Sequence, residues 1–246
     1  DVATICEGSI QRLSVTPTGA TTSTFTSAGA VSIPSSGTAT PYPSNIAVSG
    51  LPATGAGVYV SSVTLNGFSH TWPSDVDVML QSPSGQNVII LSDAGGSTSV
   101  SNINMTFSDA AAAVAPGVLT SGTFRPTNVG TPDNFPAPGP GSLTQATPLL
   151  SSFTSANNPN GDWKLFVLDQ AAGDLGTITS WSITFSVVPT AVWTASPAAP
   201  NSLFTNAAAT IPYVAGTATD VVWVKPATTT TYTATISSGP CASANN

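Results

Sequence analysis

His70-Thr71-Trp72-Pro73-Ser74-Asp75-Val76-Asp77-Val78-Met79-Leu80-Gln81-Ser82-Pro83-Ser84-Gly85 is the stretch that decides the fold. Val76, Val78 and Leu80 recur at every second position, so they share one face of an extended strand. Ser82-Pro83-Ser84-Gly85 is a turn in composition, and Gln86 to Leu91 reads as the returning strand of a hairpin. The same period of two appears in Asn160-Gly161-Asp162-Trp163-Lys164-Leu165-Phe166-Val167-Leu168-Asp169 and in Trp181-Ser182-Ile183-Thr184-Phe185, with Gly173-Asp174-Leu175-Gly176 as the turn between them. Val58 to Leu65 adds a further alternating run.

The rest of the composition agrees. Ser and Thr make up more than a quarter of the 246 residues, and Gly and Pro contribute 21 each. Charged residues are only 6%, while hydrophobic residues reach 41%, so the chain can bury a core rather than remain disordered. Thr, Val, Ile and the aromatics favour strands, and Gly and Pro punctuate them. Ala110 to Ala115 is the best helical candidate and is too short to stand alone. Short strands with turn signals every eight to twelve residues predict an all-β protein built as an antiparallel sandwich. The Pro-, Gly- and Asn-rich stretch Phe124 to Pro148 reads as a long ordered surface loop.

Charge excludes some functions. The net charge is −7, and Arg12, Arg125, Lys164 and Lys225 are the whole basic complement, too few to line a nucleic-acid backbone. No run of 18 apolar residues exists to span a membrane. No basic segment followed by an apolar one opens the chain, so a leader is expected to have been removed.

The His70–Gly85 and Asn160–Phe185 motifs resemble the P domain, the non-catalytic β-sandwich that follows the protease domain in kexin-like proprotein convertases. The resemblance implies a secreted jelly-roll module without catalysis. The two ends carry a different resemblance. Ile5-Cys6-Glu7-Gly8, Val192-Trp193-Thr194-Ala195-Ser196-Pro197 and Pro226 to Thr235, with Thr229-Thr230-Thr231-Tyr232-Thr233 at its centre, followed by Cys241, are similar to the immunoglobulin-like repeats of large surface proteins exported by the type IX system of Bacteroidetes-type bacteria. In those repeats the early and late parts are neighbours. Here the P-domain-like segment separates them. The expected organisation is a discontinuous Ig-like β-sandwich of residues 1–19 and 189–246, with a P-domain-like jelly roll of residues 20–188 inserted in it. The competing organisation is linear, with residues 1–19 left over from a preceding module. The implied setting is extracellular. There a Cys6–Cys241 disulfide is expected; on the chain-entropy model it contributes on the order of 5 kcal/mol.

Acids are scarce, so their positions carry information. Asp75, Asp77, Asp93, Asp162, Asp169 and Asp174 lie in or beside the P-domain-like motifs. Loop-clustered carboxylates suit calcium, and Asp75, Asp77, Asp93, Asp169 and Asp174 form the candidate Ca²⁺ set. The alternative for the same residues is capping of turns and strand ends. His70, the single histidine, reads as structural: no Gly-x-Ser-x-Gly elbow accompanies it, and the chain has no further histidine to build a metal site for catalysis. Trp163 and Trp181 match core positions of the P domain. Trp72, next to Pro73 at a strand entry, is the tryptophan expected to stay partly exposed and the candidate for glycan binding. Asn104-Met105-Thr106 has the form of a glycosylation sequon. The expected function is a structural or adhesive β-module of a cell-surface filament, paired with other copies of itself or with neighbouring modules. The alternatives are an accessory domain of a secreted subtilisin-like protease and a glycan-binding module.

Overall fold

A computed structural model describes the chain except for residues 1, 9, 54–56, 131, 154–156, 200 and 238–246. It is an all-β protein, with two single-turn 3₁₀ segments at Pro73–Asp75 and Leu150–Ser152. No helix of the described residues is long and apolar enough to cross a membrane. The chain divides into two compact units, one of Asp1–Thr21 with Val187–Asn246, the other of Thr22–Ser186.

The first unit pairs two three-stranded sheets. In one, Thr230–Ser237 lies between Val2–Ile5 and Thr190–Ser196; in the other, Val221–Val224 lies between Leu203–Phe204 and Gln11–Ser14. Alternation explains why the two close on one core. Ala191 and Trp193 from one strand, Val222 and Val224 from the second, and Tyr232 and Ala234 from the third point inward and bury together with Val15. The Trp193 indole N–H donates to Thr219 O at 2.9 Å, so burying this ring leaves no orphan donor.

The second unit holds a seven-stranded and a six-stranded sheet. In the first, the long strand Val58–His70 is flanked by Val100–Phe107 and Gly176–Ile178, and Ser180–Val187 pairs both with it and with Thr21–Thr26. In the second, Val76–Gln81 sits between Asn87–Ser92 and Gly161–Asp169. The hairpin read from the sequence is present, its return strand starting at Asn87. The inward faces of the two sheets meet through edge-to-face rings, Trp163 against Phe185 with centroids 5.4 Å apart. Trp181, fully buried, sends its indole N–H to Ser44 Oγ at 2.9 Å.

The six-stranded sheet is buried on both faces. Val76, Val78 and Leu80 point inward, so Asp77 and Met79 point outward, and register puts Phe166 opposite Met79 and Leu168 opposite Asp77. That outward face does not meet solvent. Met79, Ile89, Phe166 and Leu168 cluster with Phe135, and Tyr42 and Leu143 pack on them. Phe135 comes from the stretch expected to be a surface loop. The structure corrects that reading: the stretch forms a hairpin of Asp133–Phe135 with Gly141–Leu143 and lays Phe135 onto the sheet. The apolar patch supplies the reason, since covering it removes four large side chains from water at about 1.5–3 kcal/mol each. Ala110 to Ala115 forms turns and a bridge rather than a helix.

Candidate metal centre

At one end of the outward face, three carboxylates converge. Asp77 projects outward from its strand one step from Met79. Ser92 ends the neighbouring strand, and Asp93 follows it at φ 52°, a left-handed turn that redirects its side chain. Asp133 opens the covering hairpin. Oxygens from Asp77, Asp93 and Asp133 all lie within 4.8 Å of one another. Asp77 and Asp133 are buried, and Asp93 opens to solvent.

Polar neighbours complete the cluster. Ser92 Oγ donates to Asp77 Oδ1 at 2.6 Å, rests against Asp133 Oδ1, and lies 3.5 Å from Asp93 Oδ2. A hydroxyl carries one proton, so it satisfies one of these carboxylates at a time. The Gln170 amide donates to Asp77 Oδ2. Asn128, paired in register with Ser92, donates to Asp133 Oδ2 at 2.8 Å and to Gln145 O at 3.0 Å, while its own Oδ1 is buried without a partner among the described residues. Burial, and then the Asp133 and Asp93 charges, push the Asp77 carboxyl up to about 7, against the hydrogen bonds from Ser92 and Gln170 that hold it down. Burial and Asp133 also raise Asp93. This is a site short of positive charge. Its chemistry is all oxygen, three carboxylates with hydroxyl and amide groups beside them, which matches a hard divalent cation of calcium's size and tolerance of irregular geometry.

The structure thus brings together two of the five acids expected to bind calcium, Asp77 and Asp93, and adds Asp133, Ser92, Asn128 and Gln170. The other three fall outside that cluster in a neighbouring polar group, which Asp75 couples to it through its charge on Asp93 and through the Gln170 N–H donating to Asp75 O at 2.8 Å. Asp169 is fully buried, with Oδ2 3.1 Å from His70 Nε2 and Oδ1 accepting from the Ala171 N–H. Asp174 accepts from Thr71 Oγ1 at 2.8 Å. Asp75 lies in the 3₁₀ turn, and burial, then Asp169 and Asp174, raise its carboxyl above the ordinary range.

His70 spends both ring nitrogens on the fold. Nε2 faces Asp169, and Nδ1 lies 2.9 Å from Trp72 O and 3.1 Å from Trp72 N. Neither is left to activate a serine. Gly176 is needed beside it, because a Cβ there would overlap the imidazole. Trp163 and Trp181 are buried, and Trp72 is 46% exposed. Asn104, in the sequon, accepts the Gly67 N–H at 2.8 Å through Oδ1. Cys6 is exposed, and its expected partner Cys241 lies outside the described residues.

Residues 141–185 match the family model of the proprotein convertase P-domain. The matched segment contains the strand Gly161–Asp169, the Gly173–Gly176 turn and most of the strand Ser180–Val187, so it supplies Asp169, Gln170 and Gly176 to the two polar groups. No curated protein matches the chain significantly. Among solved structures, a serine protease of Aeromonas sobria is similar at 14% identity and a TM-score of 0.30, over 76% of this chain and 27% of that one. The same protease in complex with its chaperone ORF2 gives 14% identity and a TM-score of 0.29 over the same shares. The chain therefore spans about a quarter of the length of that protease.

Proposed function

We propose that this chain is a non-catalytic extracellular β-module that serves a structural or adhesive role, as a subunit or repeat of a bacterial surface filament, and that its P-domain unit is fastened by a structural calcium ion. The observation that supports the non-catalytic half is the chain's one histidine, sealed between Asp169 and the Trp72 backbone with no nitrogen free for chemistry. Low charge and a Thr- and Ser-rich sequence fit an exposed, protease-resistant surface, and secretion follows from the same reading. The calcium half rests on the Asp77, Asp93 and Asp133 oxygens, which carry more negative charge than Ser92 and Gln170 can neutralise. Assembly would proceed through copies of the chain or adjoining modules pairing sheet edges.

Light scattering of the purified chain over a wide concentration range, followed by electron microscopy, tests assembly. Reversible oligomers or fibres support it; a strict monomer whose gene holds no tandem copies sinks it. The second reading is an accessory P-domain of a secreted serine protease, favoured by the match over residues 141–185. A protease domain encoded in the same polypeptide decides for that reading. Glycan binding through Trp72 is a third, and an array with saturable binding that Trp72→Ala abolishes would establish it.

A further inference from the structure

One end of the second unit presents an aromatic and acidic surface that neither the calcium reading nor the assembly reading uses. Trp72 is 46% exposed and Leu175 63% exposed. Backbone hydrogen bonding makes their segments neighbours: the Thr71 N–H donates to Leu175 O at 3.3 Å, and the Leu175 N–H donates to Thr71 Oγ1 at 3.2 Å. The platform under Trp72 is pinned. Its N–H donates to His70 Nδ1, its carbonyl accepts the Asp75 N–H at 3.1 Å, Ser99 Oγ donates to Thr71 O at 2.9 Å, and Pro73 is buried. An exposed indole on an immobile backbone loses little entropy on binding.

The charge beside it is one-sided. Asp174 accepts from Thr71 Oγ1, and Asp75 feels both Asp169 and Asp174. Among the described residues the one ion pair is His70–Asp169, so no lysine or arginine of this chain neutralises Asp75 or Asp174. We infer that Trp72, Leu175, Asp174 and Asp75 form a docking surface for a partner polypeptide segment carrying an arginine next to an apolar residue. The guanidinium stacks on the indole face and donates to the carboxylates, and the apolar neighbour covers Leu175. Charge complementarity chooses this occupant. A neutral sugar would use the ring and leave two carboxylates without a cation.

The test is a titration of the ¹⁵N-labelled chain with acetyl-Leu-Arg-Leu-amide and, separately, acetyl-Leu-Gln-Leu-amide and cellobiose, followed by NMR. The arginine peptide is expected to move the Trp72 indole N–H and the amides of Thr71 to Asp75 and of Asp174 and Leu175, saturably and less at high salt. Trp72→Ala should abolish the shifts. Asp174→Asn, which keeps an oxygen to accept from Thr71, should weaken affinity about three- to tenfold while the rest of the spectrum stays in place, and it decides the matter if Trp72→Ala does not fold. No movement of these signals at the highest peptide concentration, equal shifts with the glutamine peptide, or stronger shifts with cellobiose would each overturn the inference. The titration is run in chelator on monomeric chain, so its failure is distinct from failure of the calcium or the assembly reading.

Discussion

His70 and Asp169, 99 positions apart, meet fully buried at 3.1 Å and tie the last residue of a strand in one sheet to the last residue of a strand in the other. Asp169 also caps the Ala171 N–H, and His70 holds the Trp72 backbone, so two loops hang on one pair. His70→Ala leaves a buried carboxylate with one partner fewer and opens a cavity under Gly176. We expect it to cost about 1–3 kcal/mol for the orphaned group, with the cavity adding to that. Urea unfolding followed by circular dichroism measures it. A loss below about half a kilocalorie would mean that the pair does not hold the sheets.

Asp77 sets a pH dependence whose sign follows from its direction of shift. Its carboxyl titrates at about 7 in the fold, against an ordinary 3.8 for an aspartate in the unfolded chain. The folded protein therefore holds more protons than the unfolded chain between those values. That stabilisation is fully present below about 4 and is lost as pH rises through about 7, at up to about 1.4 kcal/mol per pH unit for one group. In chelator, thermal midpoints should fall as pH rises across that window. Asp77→Asn should flatten the profile, and an unchanged slope in that variant would assign the dependence elsewhere.

Calcium should reverse that loss. An ion bound only by the folded chain stabilises by about 2.7 kcal/mol at a hundredfold excess over its dissociation constant. Added Ca²⁺ at pH 8 is expected to raise the thermal midpoint by several degrees, Mg²⁺ to do so less, and Asp133→Asn to abolish the response. Equal midpoints with Ca²⁺ and with chelator would remove calcium from the description of this protein.

Phe135 anchors the covering hairpin through Met79, Ile89, Phe166 and Leu168. Phe135→Ala should cost about 3–5 kcal/mol. Limited proteolysis should then cut between 125 and 148 first, because the hairpin has lost its largest apolar contact. Unaltered cleavage kinetics would show that the polar ties, such as Tyr42 Oη to Pro136 O at 3.1 Å, suffice.

If Cys6 and Cys241 are bridged, the untreated chain will weigh two hydrogens less than the reduced one, and reductant will lower the thermal midpoint. Identical masses would exclude the bridge.

Much of this architecture is local and could be read along the chain. Val76-Asp77-Val78-Met79-Leu80 alternates because strands have a period of two, and Ser82-Pro83-Ser84-Gly85 turns because its residues favour turn geometry. The all-β class, the hairpin and the exposed Trp72 followed from such short-range rules, while the burial of Trp163 and Trp181 was what the P-domain resemblance implied. The carboxylate centre was half legible: Asp77 and Asp93 stood out, one in a strand and one just beyond its partner. Asp133 did not, because nothing within its own Pro- and Gly-rich neighbourhood marks it as part of a carboxylate cluster rather than a turn residue. Its meeting with Asp77 depends on strand order, on an outward apolar patch that only exists once Phe166 lies beside Met79, and on Phe135 being drawn down to cover that patch. Alternation is set by each residue's own backbone, whereas convergence is set by which strands become neighbours, and only the folded sheet decides that.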